Sequence, residues 1–357
     1  MPAHRRRLAS ATLVLGLALV LLAGGLPAAA AAGRTYVALG DSFAAGVGAR
    51  SYYPDDDCYR SPRGYPVLLA QRAGLSLRFA ACSGAVTADV LESQVSALRR
   101  DTAYVSLTVG GNDLGFSSVL TTCALPGWVG SCGGAVDRGL RTLRTALPAR
   151  VDRVLGAVRS RAPQARVVVT GYPRLFAGED CNAATFFSAA EMTRLNAATI
   201  ELNALLRQRA AAAAVGYVDP APAFRGHAWC EDDAWVNGLS RPVVNSFHPT
   251  AAGHAAYADL VGPALGLPAA GSASVSSTSR PAVGLVSTAS AEGPFSFRTP
   301  DLGSERVTRA AERAGVTRAE LGELRRLQRA GSAATRAELE RSDALDARLT
   351  RRALARR

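Results

Sequence analysis

The sequence predicts an α/β fold in which a parallel sheet carries helices on both faces. Three observations predict it. Between Arg34 and about Pro268, short β-branched or apolar runs alternate with longer amphipathic stretches. Glycine-containing turns follow two of the apolar runs directly, as Gly40-Asp41-Ser42 and Gly110-Gly111-Asn112. The stretch is about 235 residues long, enough to bury one ample core.

Residues 1–32 read as a secretory signal peptide: Arg5-Arg6-Arg7 begins it, Leu13–Ala23 is its apolar core, and Ala28–Ala32 is a small-residue cleavage region ending near Ala32. A membrane anchor is the rival, because moderately apolar residues run from Leu8 to Leu26, but Gly24-Gly25 and Pro27 break that run. Arg5-Arg6-Arg7 fits a twin-arginine export signal poorly in its following residues. The main domain expected at 33–268 has strands at 35–40, 76–80, 103–109, 165–170 and 215–218, which makes a five-stranded sheet. Helices are expected at 64–73, 87–99, 136–161, 188–210 and 250–263. In the fourth of these, Met192, Leu195, Ile200, Leu202, Leu205 and Leu206 form a broad apolar face that suits a core.

After Pro268 the composition turns to alanine, serine, glycine, threonine and proline, so 269–300 reads as a flexible linker with no core of its own. Residues 301–357 are rich in arginine and glutamate, with leucines scattered through Ala319–Ala330 and Ala334–Leu349. Almost no aromatic or β-branched residues occur there, and the segment is expected to be a disordered or partly helical tail. Its excess of arginine suits contact with an anionic cell wall or membrane surface. No internal repeat stands out, and a monomer is expected.

The formal charge of +12 comes from arginine alone, since the chain has no lysine. Within 33–268, 22 arginines face 19 acidic residues, and no basic stripe carries interleaved aromatics, which excludes nucleic acid as the expected partner. All six cysteines lie beyond the signal, an even number that argues for disulfides in an oxidising compartment and hence for a secreted, extracellular protein. No C-x-x-C pair occurs, which disfavours zinc, and no metal site is expected. Gly46-Val47-Gly48 lacks the lysine of a phosphate-binding loop and the rest of a dinucleotide fingerprint.

Ester hydrolysis by acyl transfer needs a nucleophile, a base that takes its proton, and donors that face the oxyanion. Ser42, just past the first strand, stands where a parallel sheet opens its ligand crevice. Of the three histidines beyond the signal, His248 sits on a loop, with Pro249 behind it and Thr250 placed to cap the last helix. His254 falls inside that helix as a packing or surface residue, and His227 reads as structural. The backbone N–H groups of Ser42 and Gly84 and the side-chain amide of Asn112 are the candidate oxyanion donors. Asp41 and Asp113 read as residues that fix their own turns.

Four blocks occur in order: Gly40-Asp41-Ser42-Phe43, Ala81-Cys82-Ser83-Gly84, Gly110-Gly111-Asn112-Asp113 and Ser246-Phe247-His248-Pro249. Together they resemble the SGNH, or GDSL, family of serine esterases and lipases, and secreted Streptomyces-type lipases in particular. The resemblance covers roughly Thr35 to Leu265. It implies a three-layer α/β/α sandwich of flavodoxin type, no cofactor, and an acyl ester or lipid substrate, with Ser42 and His248 catalytic and Ser42, Gly84 and Asn112 forming the oxyanion hole. Phospholipase A, carbohydrate acetyl esterase and a non-catalytic cell-surface binding role remain alternatives. Most members carry an aspartate three residues before the histidine, where this chain has Asn245. Some secreted actinomycete-type lipases orient the ring instead with the carbonyl two residues before it, here that of Ser246. The expectation is a Ser42–His248 dyad oriented by Ser246, with Asn245 secondary. Six cysteines allow 15 pairings; chain order and the resemblance together favour Cys58–Cys82, Cys123–Cys132 and Cys181–Cys230.

Overall fold

The computed structural model describes residues 35–267 and 282–356. The signal peptide expected at 1–32 and residues 269–281 of the expected linker lie outside the described residues. Six parallel strands run in the order β5-β4-β3-β1-β2-β6. They are β1 (Thr35–Gly40), β2 (Ser76–Phe79), β3 (Thr102–Thr108), β4 (Arg166–Thr170), β5 (Gly216–Val218) and β6 (Val283–Leu285). The first five fall where expected. The central strands are buried on both faces, which is why they read as near-continuous apolar runs such as Val167–Val169.

The helices are α1 (Ser42–Ala45), α2 (Tyr65–Ala73), α3 (Thr87–Glu92), α4 (Phe116–Cys123), α5 (Cys132–Thr145), α6 (Leu147–Arg161), α7 (Ala189–Ala212), α8 (Ala251–Ala264), α9 (Glu305–Ala314), α10 (Arg318–Gln328) and α11 (Arg336–Leu354). Helices α2 and α8 pack together on one face of the sheet, and α3, α6 and α7 pack on the other, with α5 against α6 and α7. The single helix expected over 136–161 is two, because Pro148 has no N–H to continue α5 and instead starts α6. The cysteines pair as expected: Cys58–Cys82, Cys123–Cys132 and Cys181–Cys230.

The region after the hydrolytic domain departs from expectation. Far from being only a linker, 269–300 supplies β6, which extends the sheet beside β2, and then two buried aromatics, Phe295 and Phe297. The segment from 301 onward folds into α9–α11 around Leu302, Val307, Leu321, Leu324, Leu345 and Leu349. Its lack of aromatics is made good by Trp128 and Phe186, which the hydrolytic domain contributes to the same cluster. Asp346 accepts the Gly127 N–H at 3.2 Å, and Gly331 carbonyl accepts the Ala183 N–H at 3.1 Å, so the helices dock through polar contacts as well.

Candidate active site

The nucleophile candidate is built by a turn that only glycine permits. Gly40, last in β1, has φ +127°, and a Cβ there would stand 2.0 Å from the Thr108 carbonyl oxygen. The Gln94 amide clamps the same residue, accepting its N–H at 2.7 Å and donating to its carbonyl at 2.9 Å. Asp41 then caps α1 with one carboxylate oxygen on the Phe43 N–H at 3.0 Å. Its other oxygen accepts the Tyr172 hydroxyl at 2.6 Å. Burial pushes the Asp41 carboxyl up to about 7 despite these bonds. Ser42 follows as the first residue of α1, where backbone N–H groups have no intrahelical acceptor.

His248 reaches the same point from a loop held by Asn237. The Asn237 backbone and side-chain N–H groups both donate to the His248 carbonyl, at 2.9 and 3.0 Å, while the Asn237 carbonyl accepts from Phe247 N at 3.0 Å. Phe247 is forced to φ +59° and is fully buried. Thr250 caps α8 as expected. The His248 Nε2 lies 2.7 Å from Ser42 Oγ, and its Nδ1 lies 2.8 Å from the Ser246 carbonyl oxygen. A carbonyl only accepts, so the ring proton belongs on Nδ1 and the Nε2 lone pair faces the serine hydroxyl. Burial pushes the His248 imidazole down to about 3; His254 adds to that push and the Ser246 bond opposes it.

Asn245 is not brought to the ring. Its side-chain oxygen accepts from the Tyr52 hydroxyl, which in turn accepts from Gly48 N at 3.0 Å. The secondary orienting role expected for Asn245 is thus corrected to bracing between the His248 loop and the loop after α1. Asp113 also departs from expectation: it accepts the backbone N–H and hydroxyl of Thr87, at 2.9 and 2.6 Å, and pairs with Arg150, tying the Asn112 turn to α3 and α6. His254 is a packing residue, with Nε2 at 3.0 Å from the Val47 carbonyl. His227 is structural and stacks on Trp235 with centroids 3.7 Å apart.

Of the expected donors, Gly84 takes φ +83°, and Asn112 lies in a 3₁₀ turn with one side-chain N–H on the Ala85 carbonyl at 3.1 Å. That bond holds the two donor loops side by side. Ser42 and Asn112 line one small cavity of about 50 Å³. A second, of about 80 Å³ and almost wholly apolar, shares Gly111, Phe116, Leu175, Thr199 and Leu202 with it and extends between α4, α5 and α7.

Residues 38–256 match the GDSL-like Lipase/Acylhydrolase family. The chain belongs to that family. A lipase from Streptomyces rimosus is 41% identical over 256 residues, covering 70% of this chain and 94% of the relative. Among solved structures, an extracellular lipase from Streptomyces rimosus superposes with a TM-score of 0.59 at 39% identity, over 65% of this chain and 98% of that one. Phospholipase A1 from Streptomyces albidoflavus NA297 gives 0.60 at 41% identity, over 66% and 98%. As a GDSL family member, the protein is a carboxylic ester hydrolase.

Sequence reasoning missed Tyr172, Asn237, Gln94 and Phe295. Tyr172 had a signal, since Gly171-Tyr172-Pro173 follows β4 at the same sheet edge as Ser42. Asn237 and Gln94 act through long-range contacts and left none. Phe295 and Phe297 form an alternating pair inside a composition that otherwise reads as a linker.

Proposed function

We propose that this GDSL hydrolase is a secreted enzyme that cleaves lipid acyl esters through an acyl-enzyme on Ser42, with His248 as base. The Ser42 Oγ–H donates to His248 Nε2; as the oxygen attacks the ester carbonyl carbon, the proton passes to Nε2. The oxyanion is received by the N–H groups of Ser42 and Gly84 and the free side-chain N–H of Asn112. Collapse expels the alcohol, which takes the proton from Nε2. Water then enters and gives a proton to Nε2 as its oxygen attacks the acyl carbon; cleavage of the bond from that carbon to Ser42 Oγ releases the acid, and Nε2 returns the proton to Oγ. The Ser246 carbonyl holds the ring in the tautomer this cycle needs and partners the imidazolium that forms.

The observation that carries this reading is the 2.7 Å bond between Ser42 Oγ and a histidine whose far nitrogen is held by a carbonyl. The lipid preference rests on the apolar cavity beside Ser42, which offers an acyl chain almost no polar partner. A phospholipid substrate is a second reading, favoured by the likeness to the phospholipase A1 structure. Secretion is supported by the arginine and leucine pattern of residues 1–32, by three disulfides, and by the extracellular lipase among the relatives. Among the described residues no helix is long and apolar enough to cross a membrane.

The test is turnover by the full chain of p-nitrophenyl esters of graded length and of a diacyl phospholipid, beside Ser42→Ala. Serine-dependent turnover that rises from acetyl to medium chains is expected. Turnover confined to acetyl esters would reject the lipid assignment.

A further inference from the structure

The 2.7 Å Ser42–His248 pair is closed off from solvent: Ser42 is 3% exposed and His248 0%. The segment after β6 contributes to the cover. Phe295 sets its ring edge-on to His248 with centroids 4.8 Å apart, and it also packs against Phe116 at 5.6 Å. Phe297 packs on Phe247 at 5.1 Å, next to the catalytic histidine. The Gly293 carbonyl oxygen lies directly against Gly84, where a Cβ would meet it at 1.8 Å. Thus one stretch of chain touches both the base and the loop of a candidate oxyanion donor.

The stretch is firmly held at its start and loosely held over the site. Arg60, paired with Asp56 and buried, donates to the carbonyls of Phe79 and Val286 at 2.6 and 2.7 Å, which fixes the end of β6 to β2. Beyond it the backbone is irregular up to α9. Its bonds to the hydrolytic domain there include Ala291 N to Asp89 at 3.2 Å, Phe295 N to the Ser83 hydroxyl at 3.2 Å and Arg298 N to the Thr121 hydroxyl at 3.3 Å. Single long bonds and ring contacts of this kind open locally at less cost than a sheet does. The cover also lies beyond the family match, which ends at residue 256.

We propose that Ser290–Arg298 is an intramolecular occupant of the substrate cleft, and that Phe295 determines access to Ser42. An ester enters when this strap lifts from Ser83, Gly84 and His248 while β6 and α9–α11 stay docked. This rests on the reading of Ser42 as nucleophile, since access to it is what the strap controls.

Two measurements on the full chain test the proposal. The first is the rate of Ser42 modification by p-nitrophenyl alkylphosphonates, read by intact mass, in wild type and Phe295→Ala. A rise of at least tenfold in the variant is expected, larger for a long alkyl group than for methyl. An equal or lower rate in a variant that melts normally would make Phe295 a wall of the substrate pocket and overturn the proposal. The second is hydrogen exchange on the wild type, which needs no variant and no activity. The amides of Ala291 and Phe295 are expected to exchange through local opening, at least a hundredfold faster than those of Val105 and Val168 in the sheet. Exchange of the strap only with global unfolding would mark it as a fixed part of the fold and refute the gate. Failure of any phosphonate to modify Ser42 in both proteins would instead strike at the nucleophile assignment, with exchange still deciding whether the strap opens.

Discussion

Replacing Asn245 by alanine separates a dyad from a triad. In a serine hydrolase whose histidine depends on a buried carboxylate, loss of that group's charge costs about 10⁴ in turnover. Here the ring nitrogen that such a group would serve is occupied by the Ser246 carbonyl at 2.8 Å, and the Asn245 amide is spent on Tyr52. Asn245→Ala therefore removes one neutral hydrogen bond and leaves the Tyr52 hydroxyl its contact with Gly48. The net loss is about 0.5–1.5 kcal/mol. If all of it reached the transition state, kcat/KM would fall by no more than about tenfold. The assay is kcat/KM on a p-nitrophenyl ester, with a urea midpoint to show that the fold is retained. A loss of more than about a thousandfold in a stably folded variant would refute the assignment of the Ser246 carbonyl as orienter.

Two further outcomes follow from the same geometry. Tyr172→Phe removes the hydroxyl that donates to Asp41 and accepts from Gly111 N at 3.1 Å, so a buried carboxyl and a half-buried N–H each lose a partner. A destabilisation of about 2–5 kcal/mol in urea unfolding is expected, with reduced kcat because both turns bear on the site; a change under about 0.5 kcal/mol would contradict the role given to Tyr172. Burial holds the His248 imidazole down at about 3, so the acid limb of kcat/KM should lie well below the ordinary histidine value of about 6.5. The folded protein binds fewer protons here than the unfolded chain between those two values. Stability should therefore fall as pH drops through that window. A limb at 6.5 would mean that the histidine is solvated in the free enzyme.

Much of the hydrolytic domain was legible because its signals are local. Short apolar runs, Gly40 and Gly110 at strand ends, and Thr250 before α8 each state their structure within a few residues. The pairing of Ser42 with His248 was legible through the order of the four blocks in the chain. What the sequence concealed depends on contacts across the fold. Asn245 stands where the family resemblance leads one to expect an orienting group, yet its partner Tyr52 lies on a loop almost two hundred residues away. Residues 301–357 seemed too poor in aromatics to fold, but Trp128 and Phe186 complete their core from outside. A local signal was present even there: Thr317-Arg318-Ala319-Glu320-Leu321 recurs as Thr335-Arg336-Ala337-Glu338-Leu339. Both copies form capping boxes, with the threonine and glutamate side chains serving each other's backbone N–H. The composition of 282–300 hid a strand because three residues, Val283–Leu285, suffice when an open sheet edge waits beside β2.

The measurement that bears most directly on the central claim is trapping of the acyl-enzyme. The full chain would be mixed with a p-nitrophenyl ester, quenched in acid and mapped by mass spectrometry, beside Ser42→Ala and His248→Ala. The expected result is an acyl group on Ser42 in the wild type, none in Ser42→Ala, and a rate of acylation lowered by at least a thousandfold in His248→Ala. Turnover that persists in Ser42→Ala, or an acyl group found on another residue, would contradict the account.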